Sequence, residues 1–531
     1  MSAETIAVPA PPQGVPSPDA WLRLSPRALA VRPITDLLRS APVLIGLLYE
    51  GTRGGHQNYW GLCVGAFAVL AGIWRWFGTK YQVTDDRVYI RRGLLSPRVL
   101  SAPRAGVRSV DLTAHVMYRL LGVARVKIGT GRNDRREGEN FHLDALSVAD
   151  AEALRSLLLA APRTRGAARV SVGDTDADTA TAARAVPPPE SEIVRLRASW
   201  IRFAPLTLTG LVILGVLVGF VTNAEHDAGV DLAALGPVHS GIHDVTRMSL
   251  AESIPVGSLA VVLGLVTVSV LGYIAVFWNF RLVRTGTGSL RVTRGLLSTR
   301  ATTIDEARLR GVEISEPLSL RAAKGARCIA ITTGLRAGGG AERGGSVLLP
   351  PAPRAVADRV AAEILGVPAE ICSMELPAHG RAALRRRETR AVAPILVLYA
   401  ASQTTLLALG VRLPYWALVI LVIALVLGFL IARDRYRGLG HRLVGDWIVL
   451  STGSLVRRRS ILNVRGVIGW QLRQTWFQRR RDLVTMTVTT AAGKQRYSVA
   501  DVPMTEALAF AAAATPDLVP QFLAPYAGHA A

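Results

Sequence analysis

Arginine is the side chain on which any chemistry in this sequence must rest. It gathers at Arg91-Arg92 with Arg98 close behind, at 385–387, at 457–459 and at 479–481. A guanidinium stays charged at every biological pH and presents a rigid fork of donors that suits phosphate and carboxylate oxygens. Two anionic partners fit such clusters, the headgroups of a membrane surface and the backbone of a nucleic acid. Each basic residue beside an anionic leaflet is worth about 1 kcal/mol, and these clusters lie near apolar runs. The expected anionic-surface contacts are therefore Arg91, Arg92, Arg98, Arg457, Arg458, Arg459, Arg479, Arg480 and Arg481. A plainer reading has the same residues set membrane topology and solvate exposed strands. Nucleic acid is set aside, because the clusters lack interleaved exposed aromatics and a recognised binding module.

Other patterns that invite a chemical reading are weaker. The glycine runs near 285–289 and at 334–346 lack the lysine of a phosphate loop, and both read as hairpin loops. His239 and His243 have the i, i+4 spacing of paired metal ligands, but Gly241 between them and Pro237 before them argue for an ordinary polar loop. There is no Gly-x-Ser-x-Gly elbow, and no Ser, Cys or His stands in a recognisable relation to a carboxylate. Cys63, Cys328 and Cys372 are too scattered for a CxxC site or a disulfide framework. The sequence predicts no catalytic residue, no metal site and no cofactor, and an enzyme is not expected.

The elements that must position the arginines are those of a membrane protein. Half of the 531 residues are hydrophobic, the net charge is +23, and of 62 basic residues only Lys80, Lys127, Lys324 and Lys494 are lysine. A bilayer core of about 30 Å takes roughly 20 helical residues to cross. Six such spans are expected, in three pairs: 34–49 with 59–76, 203–221 with 254–278, and 391–409 with 413–432. The first is an apolar run of 41–49 that reaches spanning length only by recruiting 34–38. The loop 222–253 holds Glu225, Asp227, Asp231, Asp244 and Glu252 against Arg247, whereas 195–202, 281–284, 385–390 and 433–437 are basic. The positive-inside rule then places both termini and the long basic segments in the cytoplasm, with the acidic loop outside. The Pro-rich, polar start has no basic region followed by an apolar core, so no cleaved signal peptide is expected.

Each pair of spans precedes a segment of strand-like composition. YQVTDDRVYIRRGLL (81–95) alternates β-branched and aromatic residues around a polar turn, as a hairpin does. FRLVRTGTGSLRVTRGLL (280–297) and HRLVGDWIVLSTGSL (441–455) repeat the plan. Gly93 precedes Val110 by 17 residues and Gly295 precedes Val312 by 17; matching Gly453 with Val467 makes the third copy three residues shorter. An amphipathic turn follows in each (116–131, 318–334, 476–490), then a helix with apolar residues at i, i+3, i+4 (148–159, 354–365, 505–514).

Two apolar helices, the YxVTDDRVYIRRGLL hairpin, Arg-Ser-Val-Asp and the Tyr-Arg-Leu-Leu-Gly turn together resemble the bacterial membrane-flanked PH-like domain family (YdbS/YdbT type). The likeness extends over about residues 30 to 515; the second copy replaces the Asp-Asp turn with Arg-Thr-Gly-Thr-Gly, and the third lacks both that turn and the second Leu after its Gly. The resemblance implies a fold of membrane α-helices plus α+β domains, each helical pair followed by a PH-like antiparallel β-barrel with a C-terminal helix. It implies no catalytic reaction. The expected divisions are a disordered start (1–30), pair 1 (31–79), domain 1 (80–162), a disordered linker (163–194), pair 2 (195–279) and domain 2 (280–367). A linker (368–390), pair 3 (391–433), domain 3 (434–515) and a tail (516–531) complete the chain. The function expected is interaction or scaffolding at the bacterial plasma membrane. Its partners are the lipid bilayer and another membrane protein, a smaller PH-like family member being the natural candidate. A transport or export component is the alternative, although the spans hold few of the charged or broken-helix positions that transport sites use.

Overall fold

The computed structural model describes residues 21–23, 79–84, 86–92, 98–104, 107, 109–129, 142–159, 190–207, 250–286, 288–333, 346–410 and 415–522. The expected spans 34–49 and 59–76, Cys63, Gly93, the acidic loop up to residue 249 with His239 and His243, and the glycine run up to residue 345 lie outside them.

Three times the chain lays down the same order of elements. After β1 (Leu22–Arg23), the first copy runs β2 (Lys80–Val83), β3 (Arg87–Arg92), β4 (Arg98–Pro103), β5 (Ser109–His115), α1 (Val116–Leu120), β6 (Val123–Gly129), β7 (His142–Ser147) and α2 (Val148–Leu159). The second opens with β8 (Ser191–Arg195) and the long helix α3 (Leu250–Phe277). It continues through β9 (Arg281–Thr285), β10 (Ser289–Arg294), β11 (Ser298–Asp305), β12 (Leu309–Pro317), α4 (Leu318–Ala322), β13 (Gly325–Thr332), β14 (Val347–Pro353) and α5 (Arg354–Leu365). The third follows α6 (Ala369–Ser373) and the helices α7 (Gly380–Ala408) and α8 (Tyr415–Arg437). Its elements are β15 (Gly440–Val444), β16 (Trp447–Thr452), β17 (Val456–Asn463), β18 (Val467–Arg473), α9 (Trp476–Arg479), β19 (Leu483–Thr490), β20 (Arg496–Pro503) and α10 (Met504–Ala514).

Backbone constraints fix the alignment of the copies. The short helix of each ends on a left-handed residue, Gly122, Lys324 or Asp482. Gly295 and Gly453 turn into β11 and β17 with φ of 109° and 103°, and a Cβ on either would meet a carbonyl oxygen at 2.0 Å. Both β12 and β18 carry a bulge, between Leu309 and Gly311 and between Val467 and Gly469. Trp470, 17 residues after Gly453, therefore stands where Val312 does, and the third copy is not shortened. The string Arg-Gly-Val misleads. At 310–312 it lies within β12, but at 465–467 it leaves the 3-10 turn Val464–Gly466 that precedes β18.

Contacts divide the chain into two units, 1–190 with 218–247 and 285–305, and 191–217 with 248–284 and 306–531. In the first unit, β1-β2-β3-β4 form one antiparallel sheet, and β7, β6, β5, β11 and β10 lie in that order in another. Thr84 closes the β2–β3 turn, its hydroxyl donating to the carbonyl of Arg87 at 2.9 Å and accepting from its N–H at 3.1 Å. Alternate residues of β3, β5 and β6 (Val88, Ile90, Val110, Leu112, Val126, Ile128) are buried against Ala151, Leu154 and Leu158 of α2. In the second unit, β14-β13-β12-β17-β16-β15 form one sheet, β18-β19-β20 another, and β8 pairs with β9. Its third-copy core joins Ile448, Leu450 and Leu462 to Val484, Met486, Val488, Val499, Val502 and Ala507.

The barrel expected of each copy gives way to pairing between copies. Among the described residues, β5 pairs with β11 of the next copy, and β12 pairs with β17. Both are antiparallel and in the same register, with Val110 opposite Thr303 and Val312 opposite Ile461. Each such pairing satisfies a strand edge that would otherwise present bare backbone donors and acceptors.

Three described helices are long and apolar enough to cross a membrane, Ile254–Phe277, Gly380–Ala408 and Tyr415–Arg437. They cover nearly all of the expected spans 254–278, 391–409 and 413–432, and their Leu, Val and Ile side chains point largely outward, as lipid requires. Gly428 of α8 lets Ile395 of α7 approach closely. The expected span 203–221 is corrected at its start: Phe203 and Ala204 are fully buried in a 3-10 helix, Ala198–Leu206, where Ala204 packs on Tyr273 and Phe277. Residues 208–221 lie outside the described residues.

The turn geometry yields a prediction. Gly453→Ala should cost at least about 1–3 kcal/mol of backbone strain, plus the clash with the Val456 carbonyl. Gly445→Ala, with positive φ but nothing within 4 Å, should cost less. Urea unfolding of the two variants in detergent checks the order.

Candidate membrane-surface site

The site begins with a buried carboxylate. Asp501 is 1% exposed and has a left-handed φ of 64° at the end of β20. Arg386 and Arg387, on the basic first turns of α7, both donate to it, Arg387 at 3.1 Å. Gln478 of α9 donates to Oδ1 at 3.1 Å. A second donor of Arg386 reaches the Thr475 hydroxyl at 3.3 Å, and Thr475 forms a capping box with Gln478 at the start of α9. The short helix α9 is thereby fastened to α7 just before its apolar stretch, 391–409. Asp434, at the end of α8, plays a parallel part: it accepts from Arg321 (2.8 Å), Arg457 (3.3 Å) and Ser454 (2.9 Å).

The nine expected contact arginines meet different fates. Arg459 donates to the carbonyls of Cys372 and Met374, each at 2.8 Å, and burial, reinforced by Arg354, pushes its pKa down. Arg457 is held by Asp434, its pKa lowered by burial and by the Arg321 guanidinium. Arg458 lies 3.6 Å from the buried carboxylate of Glu313. Arg457 and Arg459 are internal fastenings, whereas Arg458 is exposed beside its carboxylate; for Arg457 and Arg459 these partners compete with the lipid contact expected at 457–459. A cluster of charge in sequence became a row along β17, where strand pairing brought carboxylates and carbonyls within reach. Arg91 is exposed on β3, and Arg92 stands opposite Arg98 in the β3–β4 register.

Arg479, Arg480 and Arg481 remain exposed. Beside them Trp476 and Phe477 are 60% and 67% exposed, packed edge to face at 5.0 Å, with the Arg480 guanidinium 3.8 Å from the Trp476 ring centroid. The cluster at 479–481 thus does carry exposed aromatics. Exposed apolar residues also mark the corresponding helices, Val116 and Leu120 on α1 and Leu318 on α4, and the turns at Leu296, Leu297 and Leu455. Apolar tips rimmed by arginine fit the boundary between headgroups and acyl chains. The signal was legible as Trp-Phe two residues ahead of the arginine run; only its exposure was missing.

Comparison with known families now adds to the geometry. Residues 37–162 and 394–515 match the family model described as Bacterial PH domain. These two stretches, just under half of the chain, are similar to bacterial PH domains. Each matched stretch takes in an expected helical pair and the segment after it. The middle copy, with the same order of elements, lies outside the matched residues. No curated protein and no solved structure matches the chain.

A buried histidine pair ties the segment before α7 to the third copy. His379, just before α7, has Nε2 3.1 Å from Nδ1 of His441, whose Nε2 lies 3.4 Å from Glu506. His379 Nδ1 is 3.3 Å from the carbonyl of Ala500, and Phe510 packs edge-on against the His441 ring at 4.7 Å. Burial lowers both pKa values, that of His441 to about 4 with His379 adding to the effect, while burial raises that of Glu506. Cys328 and Cys372 are buried free thiols, burial pushing Cys372 up to about 11. Such thiols are unreactive at neutral pH.

Two outcomes follow. Asp501→Ala leaves two buried guanidinium groups without their counter-ion and should cost about 3–5 kcal/mol; limited proteolysis should then cut near α9. The unfolded chain binds protons on its histidines below pH 6.5 while folded His441 resists until about pH 4. Stability is therefore fully present above 6.5 and falls as pH drops through that window, by on the order of 3 kcal/mol for His441. His441→Leu should flatten this part of the stability–pH curve in thermal unfolding.

Proposed function

We propose that this protein is a non-catalytic, multi-pass protein of the bacterial plasma membrane whose cytoplasmic PH domains form a scaffold resting on anionic lipid. The observation that carries the reading is the α9 tip: two exposed aromatics and three exposed arginines, fastened by Thr475, Gln478 and Asp501 to the base of a membrane-spanning helix. A surface so placed meets the headgroup layer whenever α7 crosses the bilayer. The aromatic rings enter the interface and the guanidinium groups take phosphate oxygens. Ion pairs draw in Arg321, Arg386, Arg387 and Arg457 near the spans, whereas Arg479, Arg480 and Arg481 stay exposed beside exposed rings, which singles this tip out for lipid. The family brings no reaction with it, and the geometry offers pairing and positioning in place of catalysis. Another membrane protein with PH-like domains is the partner such a scaffold suits.

The test uses the full chain with Cys63→Ser and Phe477→Cys, labelled with a fluorophore and placed in nanodiscs. Quenching by headgroup-level nitroxide lipid should be stronger in discs containing phosphatidylglycerol than in phosphatidylcholine alone. Replacing Arg479, Arg480 and Arg481 by Gln should remove about 3 kcal/mol of attraction, on the order of a hundredfold in occupancy. Quenching indifferent to both lipid charge and the arginines would overturn the lipid contact.

A further inference from the structure

The two junctions between copies are built alike, and among the described residues two strand edges that belong to the same series have no strand beside them. At the first junction Asp111 of β5 pairs with Arg300 of β11 at 2.6 Å. At the second, Glu313 of β12 lies 3.6 Å from Arg458 of β17. Asp111 and Glu313 occupy the same position of their strands, and so do Arg300 and Arg458, because the two registers coincide. Each junction is therefore a seven-residue antiparallel pairing with one acid and one arginine placed diagonally across it.

The strand of the first copy that corresponds to β11 and β17 is β4. Among the described residues it pairs only with β3, and Val99 on it is 56% exposed. At the register position of Arg300 and Arg458 it carries Arg98. The strand of the third copy that corresponds to β5 and β12 is β18, which among the described residues pairs only with β19. At the position of Asp111 and Glu313 it carries Gln471, and opposite Arg98 in the shared register it would bring Arg473. The acid is replaced by an amide, and a like charge, Arg473, stands where Thr113 and Ser315 face the arginine at the other two junctions. Like charges directly opposite each other destabilise a strand pair. The two open edges are therefore mismatched, which opposes head-to-tail growth of identical chains into rings or filaments.

We propose that the open edge of β4 receives a strand from a PH domain of a different protein, corresponding to β5 and bearing a carboxylate at the Asp111 position, so that Arg98 completes a third junction. Main-chain hydrogen bonds supply the affinity of such strand addition, and the acid–arginine pair supplies register and choice of partner. The inference rests on the scaffold reading and names the surface through which the scaffold recruits.

The experiment uses the full chain in detergent, with Cys63→Ser and Val99→Cys, and a synthetic peptide of the 107–117 sequence as probe. Ala301, the counterpart of Val99, faces Leu112, so a peptide with Leu112→Cys should be trapped as a disulfide, and peptides with cysteine at 111 or 113 should not. Trapping should fall roughly fivefold with Asp111→Asn in the peptide or Arg98→Gln in the protein. A swap of both charges should restore it. Equal trapping at every register, no trapping at all, or indifference to Arg98 would overturn the proposal. So would stronger trapping by a peptide of the β18 sequence, 467–475, or cross-linked oligomers of the chain itself, because a second copy would then be the occupant. The lipid quenching at Phe477 does not depend on Val99 or Arg98, so failure here and failure of the lipid contact are read separately.

Discussion

A β-strand at the edge of a sheet presents a row of backbone donors and acceptors that water or another strand must satisfy. In this chain that requirement decides how the copies are joined. β5 and β12 each leave their own copy's first sheet and complete the sheet of the copy that follows. Cross-strand ion pairs, Asp111 with Arg300 and Glu313 with Arg458, hold the register against the one-residue slip that would turn every side chain to the other face. Lys494 adds a bidentate contact to Glu313 at 2.7 Å, so that this acid, 3% exposed, sits between two cations. The cores on either face then follow from the alternation of apolar residues along strands whose partners are already fixed.

Against that frame the arginine content of the chain acquires two meanings. A guanidinium beside a membrane helix either stays in water and faces lipid or is drawn into the protein by a carboxylate. The Asp501 node draws in Arg386 and Arg387, and the Asp434 node draws in Arg321 and Arg457. Both nodes sit at the ends of helices long and apolar enough to cross a membrane, where they turn a charge that resists entering hydrocarbon into a rigid joint with a sheet. Among the described residues no acid pairs with Arg479, Arg480 or Arg481, which keep their charge outward, next to rings that lipid accommodates.

Much of this was legible in the sequence. The hairpins, the terminal helices at 148–159 and 354–365, and the spans ending near 278, 409 and 432 are local patterns, set by alternation and by apolar length. What was not legible is non-local. Nothing in a single strand says whether its free edge closes on its own copy or on the next, so a barrel was expected where extended sheets occur. Arg457 and Arg459 look like surface charges until pairing brings Asp434 and the carbonyl of Cys372 to them. Phe203 reads as the first residue of a span, and only packing shows that its ring is enclosed, close enough to Gly325 that no side chain fits there. The false shortening of the third copy came from weighting the motif Arg-Gly-Val above the backbone constraint at Gly453.

The coincidence of the two registers bears on how such a chain changes length over evolutionary time. A strand corresponding to β5 meets the same backbone spacing and the same arginine whichever later copy it encounters. Removing one whole period, from the end of β5 to the end of β12, would bring β5 to β17 in the alignment it already uses, whereas removing part of a paired strand would misplace the pairs of that junction. Chains of this architecture are thus free to gain or lose whole copies, with smaller changes of length confined to the loops and linkers between strands.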